Sequence, residues 1–147
     1  MTMNISDDHN EISALLCDYC DLLDRGDLDG CAGLFEKGAW GVAGDLASGT
    51  AAVRTVLSNV TLYDGVPNTR HLTSNVLITV ATDRLSAAAR SCITVMQCVP
   101  GDFTMQAIFI GSYHDLFSKY DGRWIFQERK IVPDLVGDMS RHRADMA

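Results

Sequence analysis

No apolar run in the sequence approaches the roughly 20 residues that a helix needs to cross a bilayer, so no membrane role is expected. The opening stretch Met-Thr-Met-Asn-Ile-Ser-Asp-Asp lacks a basic region followed by an apolar segment. No export leader is therefore expected, and the cytoplasm is the expected compartment. Positive charge is also scarce: 12 Lys and Arg stand against 19 Asp and Glu, for a net charge of −7. A binder of phosphate backbones needs a basic patch, so nucleic acid is not an expected partner. The five cysteines are odd in number and irregularly spaced, which argues against a disulfide framework. There is no Gly-rich phosphate loop, no Walker motif and no G-x-S-x-G.

Metal chemistry finds little footing. His9, His114 and His142 are scattered, with no Asp or Glu beside them at ligand spacing. Cys17-Asp18-Tyr19-Cys20 has C-x-x-C spacing, but no second pair completes a zinc set, and the motif falls mid-helix rather than at a strand-to-helix junction. Buried cysteine acting as a small apolar residue accounts for it better. No metal and no cofactor are expected.

What is present suits one soluble domain. The 147 residues are 47% hydrophobic and 21% charged, enough for a packed core. Residues 6–25 read as an amphipathic helix capped by Ser6 or Asp8, with Ile12, Leu15, Leu16, Tyr19, Leu22 and Leu23 on one stripe and Gly26 as a left-handed terminator. Tyr19 sits mid-stripe, so its hydroxyl points inward and requires a partner. A second helix is predicted over 28–35 with Asp27 as N-cap, a short strand over 39–43, and a third helix over 51–62 capped by Thr50. The period then changes to that of strands over 69–82, 86–99, 103–118 and 123–131, divided by compact turns, with Pro133 closing the last. Helices followed by an antiparallel meander predict an α+β domain, its helices on one face of a curved sheet. The domain spans 1–147, with its core over 6–133 and a polar tail, 134–147, loosely held unless a partner subunit covers it.

Three side chains carry candidate chemistry. His71 begins the first long strand, and alternation groups it with Thr73, Asn75, Leu77 and Thr79, opposite Leu72, Val76, Ile78 and Val80. Its face either lines a polar-bottomed pocket beneath the helices or meets water. Asp24 lies in the last turn of the first helix, against the macrodipole, which marks it either as solvated or as serving another purpose. It follows Tyr19 by five residues, about 140° around an ideal helix, so both face one pocket only if that pocket wraps the helix end or the last turn is distorted. Arg129 alternates with Ile125, Gln127 and Ile131; it is either half-buried and paired or a surface residue.

Taken together, Tyr19-x4-Asp24, Arg25-Gly26-Asp27-Leu28-Asp29, Leu34-Phe35, Arg70-His71-x3-Asn75, Gly111-x-Tyr113-x-Asp115-x-Phe117 and Gly122-x-Trp124-x-Phe126-x-Glu128-Arg129 resemble a SnoaL-like protein of the nuclear transport factor 2-like superfamily. The likeness covers about residues 11–132, and it is nearest to the branch of scytalone dehydratase, lindane dehydrochlorinase and the bile-acid 7α-dehydratases. It implies a cone-shaped fold whose pocket lies between helices and concave sheet. It implies catalytic roles for His71 as base, Asp24 as its partner, Tyr19 as proton donor and Arg129 as charge stabiliser. Phe35, Trp40, Asn75, Met96, Phe109 and Tyr113 are the expected pocket wall. The implied activity is a cofactor-independent lyase, dehydratase-like, acting on a small cyclic or polycyclic apolar substrate. The alternatives are an isomerase or cyclase of polyketide or steroid type using the same dyad, or the non-catalytic small subunit of a ring-hydroxylating dioxygenase. A homo-oligomer, dimer or trimer, is implied as well.

Overall fold

Asn4 starts the first helix. In the computed structural model, which describes residues 4–147, α1 spans Ile5–Asp24, and the Asn4 side chain accepts the Asp7 N–H while the Asp7 carboxylate accepts the Asn4 N–H. This reciprocal capping box replaces the expected cap at Ser6 or Asp8. Asp8 is wholly buried, its carboxylate gathering Arg84, Lys119 and the Trp124 indole N–H. Met1 to Met3, part of the stretch read for an export leader, lie outside the described residues. Ile12, Leu16, Tyr19, Cys20 and Leu23 form the buried stripe of α1, with Leu15 and Leu22 at its margins. Burying each large aliphatic side chain in it contributes about 1.5–3 kcal/mol. Gly26 ends the helix at a φ of 78°, where a Cβ would also collide with the Gly65 carbonyl.

The short α2 (Leu28–Gly33) is capped by the Asp27 carboxylate, which accepts the Gly30 N–H. Strand β1 (Ala39–Val42) turns back into β2 (Asp45–Ser48), a strand the sequence pattern did not predict, and β2 runs directly into α3 (Gly49–Leu57). The third helix ends earlier than expected because the Ser58 and Asn59 side chains donate to the Thr55 and Val56 carbonyls, satisfying groups that another turn would have used.

Four long strands complete the chain: β3 (Thr69–Val80), β4 (Ser86–Val99), β5 (Phe103–Tyr120) and β6 (Arg123–Val136). The sheet order is β2-β1-β6-β5-β4-β3, antiparallel except where β1 runs parallel to β6. Pro133 does not end β6. It sits opposite Gly111 beside a register shift, a position where a missing N–H is tolerated.

Two such shifts move side chains between faces. In β6, Leu116 pairs with Glu128 and Phe117 with Phe126, leaving Gln127 extra. Arg129 therefore joins Trp124 and Phe126 on the inner face, not Ile125 and Gln127 as strict alternation predicts. In β3, the shift between Ser74 and Leu77, with Asn75 at a φ of 51°, leaves His71 and Thr73 facing α1 but turns Leu77 and Thr79 outward. The edge strand thus changes face halfway along.

The helices cover one face of this sheet, and among the described residues no helix is long and apolar enough to cross a membrane. Beyond β6 the polar tail is not loose. Arg143 bridges to Val60, the Thr61 N–H donates to the His142 carbonyl, the Ala144 N–H donates to the Asn59 carbonyl, and the Tyr63 hydroxyl and Gln97 amide donate to the Arg141 carbonyl. A short 3-10 turn, Ala144–Met146, follows. The chain's own loops hold this segment where a partner subunit was expected to be needed.

Candidate active site

The last residue of α1 and the third residue of β3 meet across the helix–sheet junction. Asp24 Oδ1 lies 2.6 Å from His71 Nδ1 and accepts the Thr69 hydroxyl at 2.9 Å, while Oδ2 accepts the His71 main-chain N–H at 2.8 Å. Both side chains of the pair are about 95% buried. Burial works against the Asp24 carboxylate, but the His71 ring, its main-chain N–H and Thr69 outweigh it and hold the carboxyl below its ordinary range. The anion at the C-terminal end of α1, unfavourable for the dipole, is thus compensated by a built set of donors. With Nδ1 engaged, the other ring nitrogen is the one left to exchange a proton with a ligand.

His71 opens onto a cavity of about 410 Å³ between the sheet and the helices. Leu23, Val56, Leu57, Val95, Phe109 and Met139 give it a largely apolar wall, and Tyr19, Trp40, Tyr113, Asn59 and His142 bring polar atoms into it. Asp24 is not part of the lining; it stands behind His71. That resolves the angular separation of Tyr19 and Asp24 on the helix. Only Tyr19 must face the cavity, and Asp24 reaches it through the imidazole.

Tyr19 is fully buried, its ring perpendicular to that of His71 with 6.5 Å between centres. Its hydroxyl accepts the Trp40 indole N–H at 2.9 Å, the inward partner that its place on the stripe required. Burial raises its pKa beyond the usual phenol range, so the hydroxyl keeps its proton and can donate it into the cavity.

Arg129 does not line the cavity. Its guanidinium makes two 2.8 Å bonds to the Asp115 carboxylate and stacks on the rings of Tyr113 and Tyr19, at 3.8 and 4.3 Å from their centres. Its charge is met by Asp115, so it braces the tyrosines from behind and is not aimed at a ligand. The sequence reading missed Asp115 as its partner, although their pairing across β5 and β6 was implicit in the strand register.

Of the expected wall, Trp40, Phe109 and Tyr113 line the cavity and three residues do not. Phe35 is buried behind Tyr19, edge-on to it and packed against Phe126. Asn75 is exposed at the β3 shift, and Met96 belongs to the outer side of β4, its neighbour Val95 taking the inner place. The reading also missed His142 and Met139, which come from the tail. Their approach depends on the tertiary path of the last residues, and no local pattern marks it. Among the described residues no group of three or more His, Cys, Asp or Glu side chains is arranged to hold a metal ion.

Comparison with known proteins agrees with this architecture. No curated protein matches the sequence significantly. The Mycobacterium tuberculosis protein Rv3472, of unknown function, is similar in structure at a TM-score of 0.72 and 28% identity, over 87% of this chain and 77% of that one. A Novosphingobium aromaticivorans protein provisionally named a scytalone dehydratase has a TM-score of 0.74 at 24% identity, over 91% of each chain. An NTF2-like protein with a cystatin-like fold from the same organism scores 0.68 at 21% identity, over 90% and 92%. The SnoaL-like domain family matches residues 4–130. By that match and by its helices laid on one face of a six-stranded, mostly antiparallel sheet, this chain belongs to the SnoaL-like domain family and has the NTF2-like fold.

Proposed function

We propose that the protein is a lyase of the dehydratase type, removing water from a small cyclic, largely apolar compound that carries a carbonyl and a hydroxyl group. The observation that carries this reading is the His71 ring held by Asp24 through Nδ1 at the edge of a mainly apolar cavity.

In this reading the free nitrogen of His71 takes a proton from a carbon activated by the neighbouring carbonyl. Asp24 fixes the tautomer and stabilises the imidazolium that forms. The Tyr19 hydroxyl, itself positioned by Trp40, donates to the carbonyl oxygen as negative charge develops there. The proton on His71 then passes to the departing hydroxyl, which leaves as water, and the electron pair of the broken C–H bond becomes the new double bond. The Arg129–Asp115 pair keeps Tyr19 and Tyr113 in place and does not touch the substrate. A cavity of about 410 Å³ is at the small end of ligand pockets, suited to a few fused rings.

The same dyad would serve an isomerase or cyclase, since proton removal next to a carbonyl begins those reactions too. Product analysis separates them. Cyclic β-hydroxy ketones are incubated with the protein in deuterated water, and the mass of each product is read. Loss of water that needs His71 supports the dehydratase; deuterium uptake with no loss of water turns the assignment to isomerisation; neither change, for any hydroxy ketone that binds, overturns the proposal.

A further inference from the structure

The C-terminal segment brings a second imidazole to the cavity. His142 is only 8% exposed, yet it lines the cavity, and its ring centre lies 6.3 Å from that of His71 with the planes inclined at 64°. Its Nδ1 has no hydrogen-bond partner. Three other buried side-chain atoms among the described residues share that condition, on Ser91, Gln97 and Arg129, and none of those residues lines the cavity. A buried polar atom left unpaired costs about 1–3 kcal/mol, and the imidazole that carries this one borders the cavity, so His142 has hydrogen-bonding capacity that the protein's own groups leave unused.

The main chain around His142 is fixed with care for so terminal a segment. Its carbonyl accepts the Thr61 N–H at 2.9 Å and its N–H donates to the Met139 carbonyl at 2.9 Å. Ala144 is tied to Asn59, and the preceding Arg141 carbonyl takes donors from Tyr63 and Gln97. These bonds set the imidazole's position without using its ring.

We propose that His142 is a substrate-contacting residue, a hydrogen-bonding group for a hydroxyl or carbonyl oxygen on the apolar ring system that fills the cavity. The inference rests on the cavity being the substrate site, and it does not depend on His71 acting as the base. Burial, with the nearby His71 and Arg143, lowers the pKa of His142 to about 4, against a weaker opposing pull from Asp24. Of the other titratable groups in the lining, Tyr19 and Tyr113 keep their protons, and Asp45 and Asp145 also belong to the wall. His142 is therefore uncharged near neutrality and offers one N–H and one lone pair. At a 6.3 Å separation both rings can reach oxygens of one small ligand within ordinary hydrogen-bond lengths.

The test compares 2-naphthol with naphthalene, probes that differ by one hydroxyl, in equilibrium binding to the wild-type chain, His142→Phe and His142→Asn. The expected result is preference for 2-naphthol in the wild type, a loss of about tenfold in that preference in His142→Phe, naphthalene binding unchanged, and partial recovery in His142→Asn. In the unmutated protein, 2-naphthol but not naphthalene is expected to move the His142 imidazole nitrogen resonances, a readout that needs no variant to fold. An unaltered hydroxyl preference in His142→Phe, unmoved His142 resonances with 2-naphthol bound, equal weakening of both probes in both variants, or no binding of either probe by the wild type would each overturn the inference. Turnover by His71→Ala separately tests the base, so failure of one assignment is distinguishable from failure of the other.

Discussion

Asp24 holds His71 at two points, one carboxylate oxygen on the ring Nδ1 and the other on the main-chain N–H of the same residue. The two bonds fix the imidazole's rotation as well as its tautomer, so the dyad is rigid before any ligand arrives. Replacing Asp24 with Asn keeps the size of the side chain but removes the charge that steadies an imidazolium. On a verified substrate, Asp24→Asn is expected to lower kcat by about 100-fold or more with little change in KM. His71→Ala is expected to cost at least as much. A loss below about tenfold in kcat/KM for His71→Ala would remove it as the base.

Tyr19 and Trp40 make a matched pair in the cavity wall. Tyr19→Phe removes the proposed donor to the substrate carbonyl and leaves the Trp40 N–H without its acceptor. Activity is expected to fall about 100-fold, with a loss of stability of about 1–3 kcal/mol by denaturant unfolding. A Tyr19→Phe variant with full activity would assign carbonyl polarisation elsewhere.

The Arg129–Asp115 pair is a buried unit, and its two members should fail together. Each single change, Arg129→Met or Asp115→Leu, leaves an uncompensated charge in the core and is expected to cost about 3–5 kcal/mol. The double variant is expected to be more stable than either single one, because no unpaired charge remains. Strictly additive losses in the double-mutant cycle would show the two residues to be uncoupled.

His142 makes stability depend on pH in a defined window. Its folded pKa of about 4 lies below the value of about 6.5 for an unfolded histidine, so the unfolded chain binds more protons between the two. The contribution is fully present above about pH 6.5 and is lost as pH falls toward 4, on the order of 3 kcal/mol in all. Chemical denaturation across pH 4–7 is expected to show a shallower slope for His142→Phe than for the wild type. Parallel slopes would place the titration on other groups. The depressed carboxyls of Asp24 and Asp8 act lower, with stability present above the ordinary carboxylate range and lost as pH falls through their lowered folded values.

Asp8 belongs to the fold and not to the cavity. Its carboxylate is the shared acceptor for Arg84, Lys119 and the Trp124 N–H, joining the start of α1 to the far ends of the sheet. Asp8→Ala strands a lysine and an indole donor against the core. A loss of about 3–5 kcal/mol is expected by denaturant unfolding, and a cost under 1 kcal/mol would mean the cluster is solvated.

The local code of the chain was enough for the order of the three main helices and the four long strands, though not for the short β2. The α1 stripe, the Gly26 stop, the Asp27 cap and the β-turns follow from side-chain periodicity and from residues that tolerate positive φ, which are properties of neighbours in sequence. That reading reached the α+β class and the pairing of Asp24 with His71 as a resemblance. It could not decide which face His71 takes, because one extra residue in a strand reverses every side chain after it. The tertiary structure decided that through the shifts at Asn75 and Gln127, which keep His71 under α1, turn Leu77 outward and bring Arg129 inside to Asp115. It also decided the fate of the tail. His142 is a polar residue in a polar stretch until Thr61, Tyr63 and Gln97, distant in sequence, hold its backbone over the cavity, and hydrogen bonds between such distant segments leave no periodic trace.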